Sequence, residues 1–236
     1  MRRAYWLIAT AIAVGCVALA AALIFSPRAR HAEPRPAEMG LIPLPEPRRA
    51  SPTSVEEALA QRRSVRDYRD EPLTLAELGQ LLWAAQGITD PAGFRTAPSA
   101  GALYPLELYV VAGNVESLPP GVYRYSPRQH ALAHLAEGDR RNALAGAALG
   151  QGAVREGAAV LVFAAIYART TGKYGERGIR YVHMEAGHAS QNVYLQAVAL
   201  GLGTVTIGAF YDDRVKNVVG MADDEQPLYL MPVGRR

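Results

Sequence analysis

The chain has 236 residues, half of them apolar and a fifth charged, with a formal net charge of +3. That composition excludes a disordered or fibrous protein and leaves room for one domain plus an appendage, or two small domains. One cysteine excludes a disulfide framework and a Cys-cluster metal site, and with two lysines and no basic run nothing points to nucleic acid.

Residues 4–25 are uncharged and apolar, about 33 Å long as a helix, against about 30 Å for a bilayer core. The run follows Arg2-Arg3, ends at Ser26-Pro27 and exceeds the apolar stretch of a signal peptide, although Ala18-Leu19-Ala20 would suit cleavage. Residues 1–27 therefore read as a single-pass transmembrane anchor or an uncleaved signal, and basic residues on both flanks leave its orientation open. Residues 28–52, with proline at 34, 36, 43, 45, 47 and 52, read as an extended, semi-rigid tether.

Residues 53–236 read as one globular domain. Thr53 or Ser54 caps a short helix to Arg62, and Thr74-Leu75-Ala76-Glu77 is a capping box that opens a second helix, stopped by Gly87. A loop rich in Pro, Gly and Ser (89–101) precedes a strand at 106–111. Segments 122–125 and 131–135 read as a hairpin carrying exposed His130 and His134. Asp139 opens a small-residue helix to about Gly150, and the apolar run 158–167 reads as a central strand buried on both faces. A polar loop, 169–180, leads into a long helix at 178–200. A strand at 204–209, a helix at 212–219 and a last strand at 227–233 follow. Helices and strands mix without strict alternation, the pattern of an α+β fold.

Chemistry concentrates in a few places. Arg62, Arg63, Ser64 and Arg66 offer guanidinium forks and a hydroxyl at a helix-to-loop junction, a phosphate cradle; the same spacing fits a solvated turn paired with Asp67 and Asp70. Pro98-Ser99-Ala100-Gly101 would let the backbone approach a flat ring, or form an ordinary loop. Gly201-Leu202-Gly203 is no dinucleotide fingerprint, because it follows a helix and precedes a strand. Lys173 and Tyr174 are the proton-transfer candidates of the polar segment, which otherwise reads as surface. Glu185, His188 and Asn192 share a helix face, as a general-base pair or as a structural hydrogen-bond network.

These segments, in this order, resemble the nitroreductase superfamily, in particular its SagB/ThcOx-type dehydrogenases. The resemblance rests on Arg62 to Tyr68, on Pro98 to Glu107, on Tyr181 to Asn192, on Leu200 to Phe210 and on Pro227 to Arg235. It implies the nitroreductase-like fold, a central antiparallel sheet flanked by helices, in a homodimer with FMN at the subunit interface. It implies that Arg62, Arg63, Ser64 and Arg66 hold the FMN phosphate and ribityl chain, with Arg235 reaching the phosphate. Pro98, Ser99, Ala100 and Gly101 would approach the flavin from the partner subunit, and Gly208 and Ala209 would lie beside the isoalloxazine. Ala102 and Tyr104 stand where general nitroreductases carry Asn and Gln. Lys173-Tyr174 matches a pair that acts in proton removal during oxidation of peptide azolines, with Gly172 where Leu often precedes it. The implied activity is hydride transfer through flavin N5, to or from a small organic molecule or a peptide azoline, with NAD(P)H a candidate electron donor. A flavin-binding scaffold without turnover is the alternative. The N-terminal helix implies a membrane location.

Overall fold

The computed structural model describes residues 39–236; the anchor expected at 1–27 and the first part of the expected tether lie outside the described residues. Within these, the chain forms one antiparallel sheet of β1 (Met39–Pro43), β2 (Leu106–Ala112), β3 (Gly121–Ser126), β4 (Ala131–Glu137), β5 (Ala159–Ile166), β6 (Leu202–Thr204) and β7 (Glu225–Arg235). The strands lie in the order β1-β4-β3-β2-β5-β7-β6, every pair antiparallel. The helices are α1 (Val55–Gln61), α2 (Leu75–Gln86), α3 (Arg141–Ala147), α4 (Gly152–Glu156), α5 (Ala168–Tyr174), α6 (Arg177–Ala199) and α7 (Asp212–Val219).

Successive side chains of a strand point to opposite faces, and β5 is apolar without interruption because both of its faces are covered. Leu161, Phe163 and Ala165 enter one core with Leu78 and Leu82 of α2 and Ala186 and Ala189 of α6. Val160, Val162 and Ala164 enter a second core with Leu144 of α3, Val154 of α4 and Val215 of α7. The α+β expectation, with helices flanking an antiparallel sheet, holds. The capping box of α2 forms with both of its hydrogen bonds, and Ser54 caps α1.

Four local expectations do not hold. The segment read as tether joins the sheet from residue 39: β1 pairs with β4, Leu44 is buried, and Gln80 of α2 accepts from the Arg48 N–H at 2.8 Å and donates to its carbonyl at 3.0 Å. Proline is tolerated there because β1 is an edge strand with one side free of partners. The hairpin histidines are half-buried, not exposed. His130 is hydrogen-bonded to the Tyr125 hydroxyl (2.9 Å) and the Pro45 carbonyl (3.0 Å), and His134 stacks on Tyr123. The helix expected to run to about Gly150 ends at Ala147, because Leu149 and Gly150 both take positive φ, and a separate short helix, α4, follows. The polar loop at 169–180 is instead the helix α5, a tight turn at Gly175 and the start of α6, with Thr170 buried beneath. Among the described residues, no helix is long and apolar enough to cross a membrane.

Candidate active site

The chain leaves α1 at Arg62 as a strap laid over the sheet edge. The Val65 N–H donates to the Thr204 carbonyl at 2.9 Å, and its side chain lies over Gly203, where a Cβ would come within 2.7 Å of it. Only glycine admits that approach. The Tyr68 hydroxyl donates to the Val65 and Pro232 carbonyls and ties the strap to β7. Arg62, Arg63 and Arg66 make no ion pair with any described residue, and the pairing with Asp67 and Asp70 does not form, but Arg63 Nη1 donates back to the Ala60 and Arg62 carbonyls at 3.1 and 2.7 Å. The Ser64 hydroxyl lies 3.1 Å from that of Tyr194 on α6, which also accepts the Thr206 N–H at 2.8 Å. The Arg62 guanidinium sits over the Tyr194 ring, 5.2 Å from its centre. Burial works to raise the Tyr194 phenol, but the bonds to Ser64 and Thr206 and the Arg62 charge outweigh it and hold the group below its ordinary value.

Arg235, expected at the same phosphate, is committed elsewhere. Its two terminal nitrogens donate to the two Glu77 oxygens at 2.6 and 2.9 Å, a bidentate fork against the capping box of α2.

A second cluster forms around the loop carrying Pro98, Ser99, Ala100 and Gly101. Ser99 Oγ accepts the Tyr104 N–H at 2.9 Å, and Gly101 takes φ 64°. A Cβ on Gly101 would stand 2.8 Å from the Tyr174 hydroxyl and 3.0 Å from Lys173 Nζ, so this loop meets the end of α5 directly. The Lys173 ammonium lies 5.4 Å from the centre of the Tyr174 ring, and Tyr174 packs edge-on against Tyr181. Beneath the loop, Glu185 is buried on α6 with Ser99 and Arg95 as neighbours, while His188 is exposed, so the Glu–His base pair does not form. Asn192 donates to the Thr96 carbonyl.

A cleft of about 250 Å³ opens between α6 and the segment after β6, walled by Phe210, Tyr229 and Gly208 and edged by His183 and Asp212. His183 Nε2 lies 2.5 Å from the Tyr167 hydroxyl. The Ala209 carbonyl accepts from Gln151. Glu185 and Tyr194 are nine residues apart, about 13 Å along the helix. The arginine strap and the Lys–Tyr pair therefore meet α6 at different levels of one chain. Sequence reasoning missed Tyr194, Arg95 and His183. The first two lie outside the segments that carry the resemblance, and His183 lies inside one of them, Tyr181 to Asn192, without being singled out.

The chain matches the model of the Nitroreductase family over residues 59–235. It is 51% identical over 182 residues to a protein of Methanocaldococcus jannaschii named as a nitroreductase, a match covering 77% of this chain and 91% of that one. It is 31% identical over 156 residues to the microcin B17-processing protein of Escherichia coli, covering 63% of this chain and 57% of the relative's length. A crystal structure from Ralstonia eutropha, described as a nitroreductase, superposes with a TM-score of 0.72 at 30% identity, over 83% of this chain and 89% of that one. The family match spans the strap, the Ser99 loop, the Lys–Tyr pair and the cleft together, and this chain belongs to the nitroreductase family of oxidoreductases.

Proposed function

We propose that the chain is an FMN-dependent dehydrogenase of the SagB/ThcOx type, acting as a homodimer and oxidising a peptide azoline or a small molecule of the same chemistry. The observation that carries this reading is that Lys173 and Tyr174 face the open side of Gly101, where a Cβ would stand 3.0 Å from the Lys173 Nζ and 2.8 Å from the Tyr174 hydroxyl. Two segments 72 residues apart in the chain, one suited to a flat ring and one to proton transfer, come together here. The microcin B17-processing relative supports a peptide as the substrate class.

The residues fit FMN. Three guanidinium groups without an acidic partner among the described residues, beside the Ser64 hydroxyl, suit a phosphate. A left-handed loop of small side chains and a cleft walled by aromatic rings suit a flat heterocycle. When bound, FMN supplies a two-electron carrier that takes hydride at N5. Arg62, Arg63 and Arg66 bind and orient it, and the Ser99 loop fixes how closely the backbone approaches. Oxidising an azoline also requires loss of a C–H proton, and Lys173 and Tyr174, side by side at the loop, are the groups this reading assigns to that proton transfer. In this reading residues 4–25 tether the enzyme to a membrane and NAD(P)H serves the reductive direction.

The test is turnover of the FMN-loaded chain with a 2-aryl-thiazoline and oxygen as final acceptor. Lys173→Ala and Tyr174→Ala should each lower kcat by about a hundredfold or more, with FMN content unchanged. A chain that binds FMN yet turns over no thiazoline, nitroaromatic or quinone is a scaffold, and one that binds no FMN ends the proposal.

A further inference from the structure

A buried phenol is costly unless its proton finds an acceptor. Tyr194 on α6 is 9% exposed, and three elements meet at its oxygen. The Thr206 N–H, just after β6, donates to it at 2.8 Å, and the Ser64 hydroxyl of the strap stands 3.1 Å away. Among the described residues, Ser64 is the one acceptor within reach of the phenol proton. The phenol therefore donates to Ser64, and the proton of Ser64, an exposed residue, is left for a group outside the fold. With the bond reversed, the Tyr194 proton would have no partner among the described residues.

The strap has little freedom on either side of Ser64. The Arg62 N–H closes α1 on the Ala58 carbonyl at 2.9 Å, and the Val65 N–H is bound to the Thr204 carbonyl. The Arg62 guanidinium lies over the Tyr194 ring, so one side chain seats both a cation and a hydroxyl. Other donors expected at this place are diverted. Arg235 is engaged with Glu77, and one Arg63 nitrogen folds back on the Ala60 and Arg62 carbonyls. A phosphate monoester brings three acceptor oxygens, so the Ser64 hydroxyl beside Arg62 and Arg66 gains in weight.

We infer that Tyr194 is a positioning residue for the phosphate end of the flavin: its hydroxyl, held by the Thr206 N–H, donates to Ser64 and commits the Ser64 proton to the phosphate. This rests on the FMN reading above. Hydrogen bonds in a chain polarise one another, so an anion at the far end strengthens every link. The Tyr194 phenol is held below its ordinary value, which makes it the stronger donor. A flavin without a phosphate offers the last proton nothing to bind, so Tyr194 discriminates between FMN and riboflavin.

The experiment measures flavin affinity, by fluorescence quenching, for wild type, Tyr194→Phe, Ser64→Ala and the double variant, all as full chains. Phenylalanine keeps the ring under Arg62 and removes only the hydroxyl. The Kd for FMN should rise about tenfold in each single variant and no further in the double, because the two hydroxyls act in series. The Kd for riboflavin should change less than twofold. Equal loss for both flavins, an FMN Kd within twofold of wild type in Tyr194→Phe, or losses that multiply in the double variant overturn the inference. A wild type that binds no FMN refutes the FMN reading. The thermal midpoint in inorganic phosphate, at constant ionic strength, then decides: phosphate should raise that of wild type and not that of Tyr194→Phe, and an equal response, or none, overturns the inference as well.

Discussion

Two carboxyls, Glu77 half-buried and Glu185 buried, set opposite dependences on pH. Burial works to raise the Glu77 carboxyl, but bonds from Arg235 and Thr74 outweigh it and hold the group below its ordinary 4.5. Its contribution is present above that value and lost as pH falls through the lower native one. Arg235→Ala should therefore cost about 2 kcal/mol in urea unfolding at pH 7 and distinctly less at pH 3; an equal cost at both would refute the pairing as its source. Glu185 has the reverse sign. Raised by burial from 4.5 to about 7, it favours the fold fully below 4.5, and that contribution is lost as pH climbs through 7. Glu185→Gln should remove the loss and stabilise the protein at pH 8 by up to about 3 kcal/mol; equal stability of the two at pH 8 would refute burial of the ionised carboxyl as its source. Glu185 stood out in the sequence as a polar residue on a helix of small ones. His188, three residues on, looked its partner, but that side chain is exposed.

At the scale of the elements, strong local signals survived and weak ones yielded to packing. The capping box of α2 satisfies its own backbone, so it needs little from elsewhere. The segment 39–48 and α5 show the converse. Proline content spoke for an extended tether, yet Ile42 and Leu44 have a core to enter and Arg48 has Gln80. Polarity spoke for a loop at 169–174, yet Thr170 is buried and the Gly175 N–H closes the helix on Thr171. A chain begun at residue 38 should keep the thermal midpoint of the full chain. One begun at residue 50 loses β1, Leu44 and the Arg48 bonds, and should lose at least about 3 kcal/mol by urea unfolding. Equal stability of the two truncations would show that this arm is ornamental.

Over the whole molecule, two cores share one sheet and β5 belongs to both. Phe163, fully buried on the α6 side, packs in the core that also holds Ala186 and Ala189, the wall against which the Ser99 loop and the strap are built. Phe163→Ala should cost about 3–5 kcal/mol and lower the midpoint of a single calorimetric transition. Two separate transitions would mean that the cores unfold independently, contrary to a strand common to both. The same sharing explains the placement of chemistry. Helix α6 spans the sheet face, so one rigid element carries Tyr194 to the arginine strap and Glu185 to the loop that meets Lys173 and Tyr174.

What the amino-acid order decided alone were features whose cause is local: the capped helices, the doubly buried strand, and which residue types stand ready for phosphate and proton chemistry. The α+β class and the ordered set of family motifs were also legible there, because each motif is contiguous. What only the tertiary structure decided were the long-range partnerships. The Arg235 guanidinium binds Glu77 and not the strap, Glu185 is buried while His188 is exposed, and Lys173 and Tyr174 face the open side of Gly101. A side chain's partner depends on what the folded backbone brings within about 3 Å of it, and local spacing carries no information about residues 80 or 150 positions away.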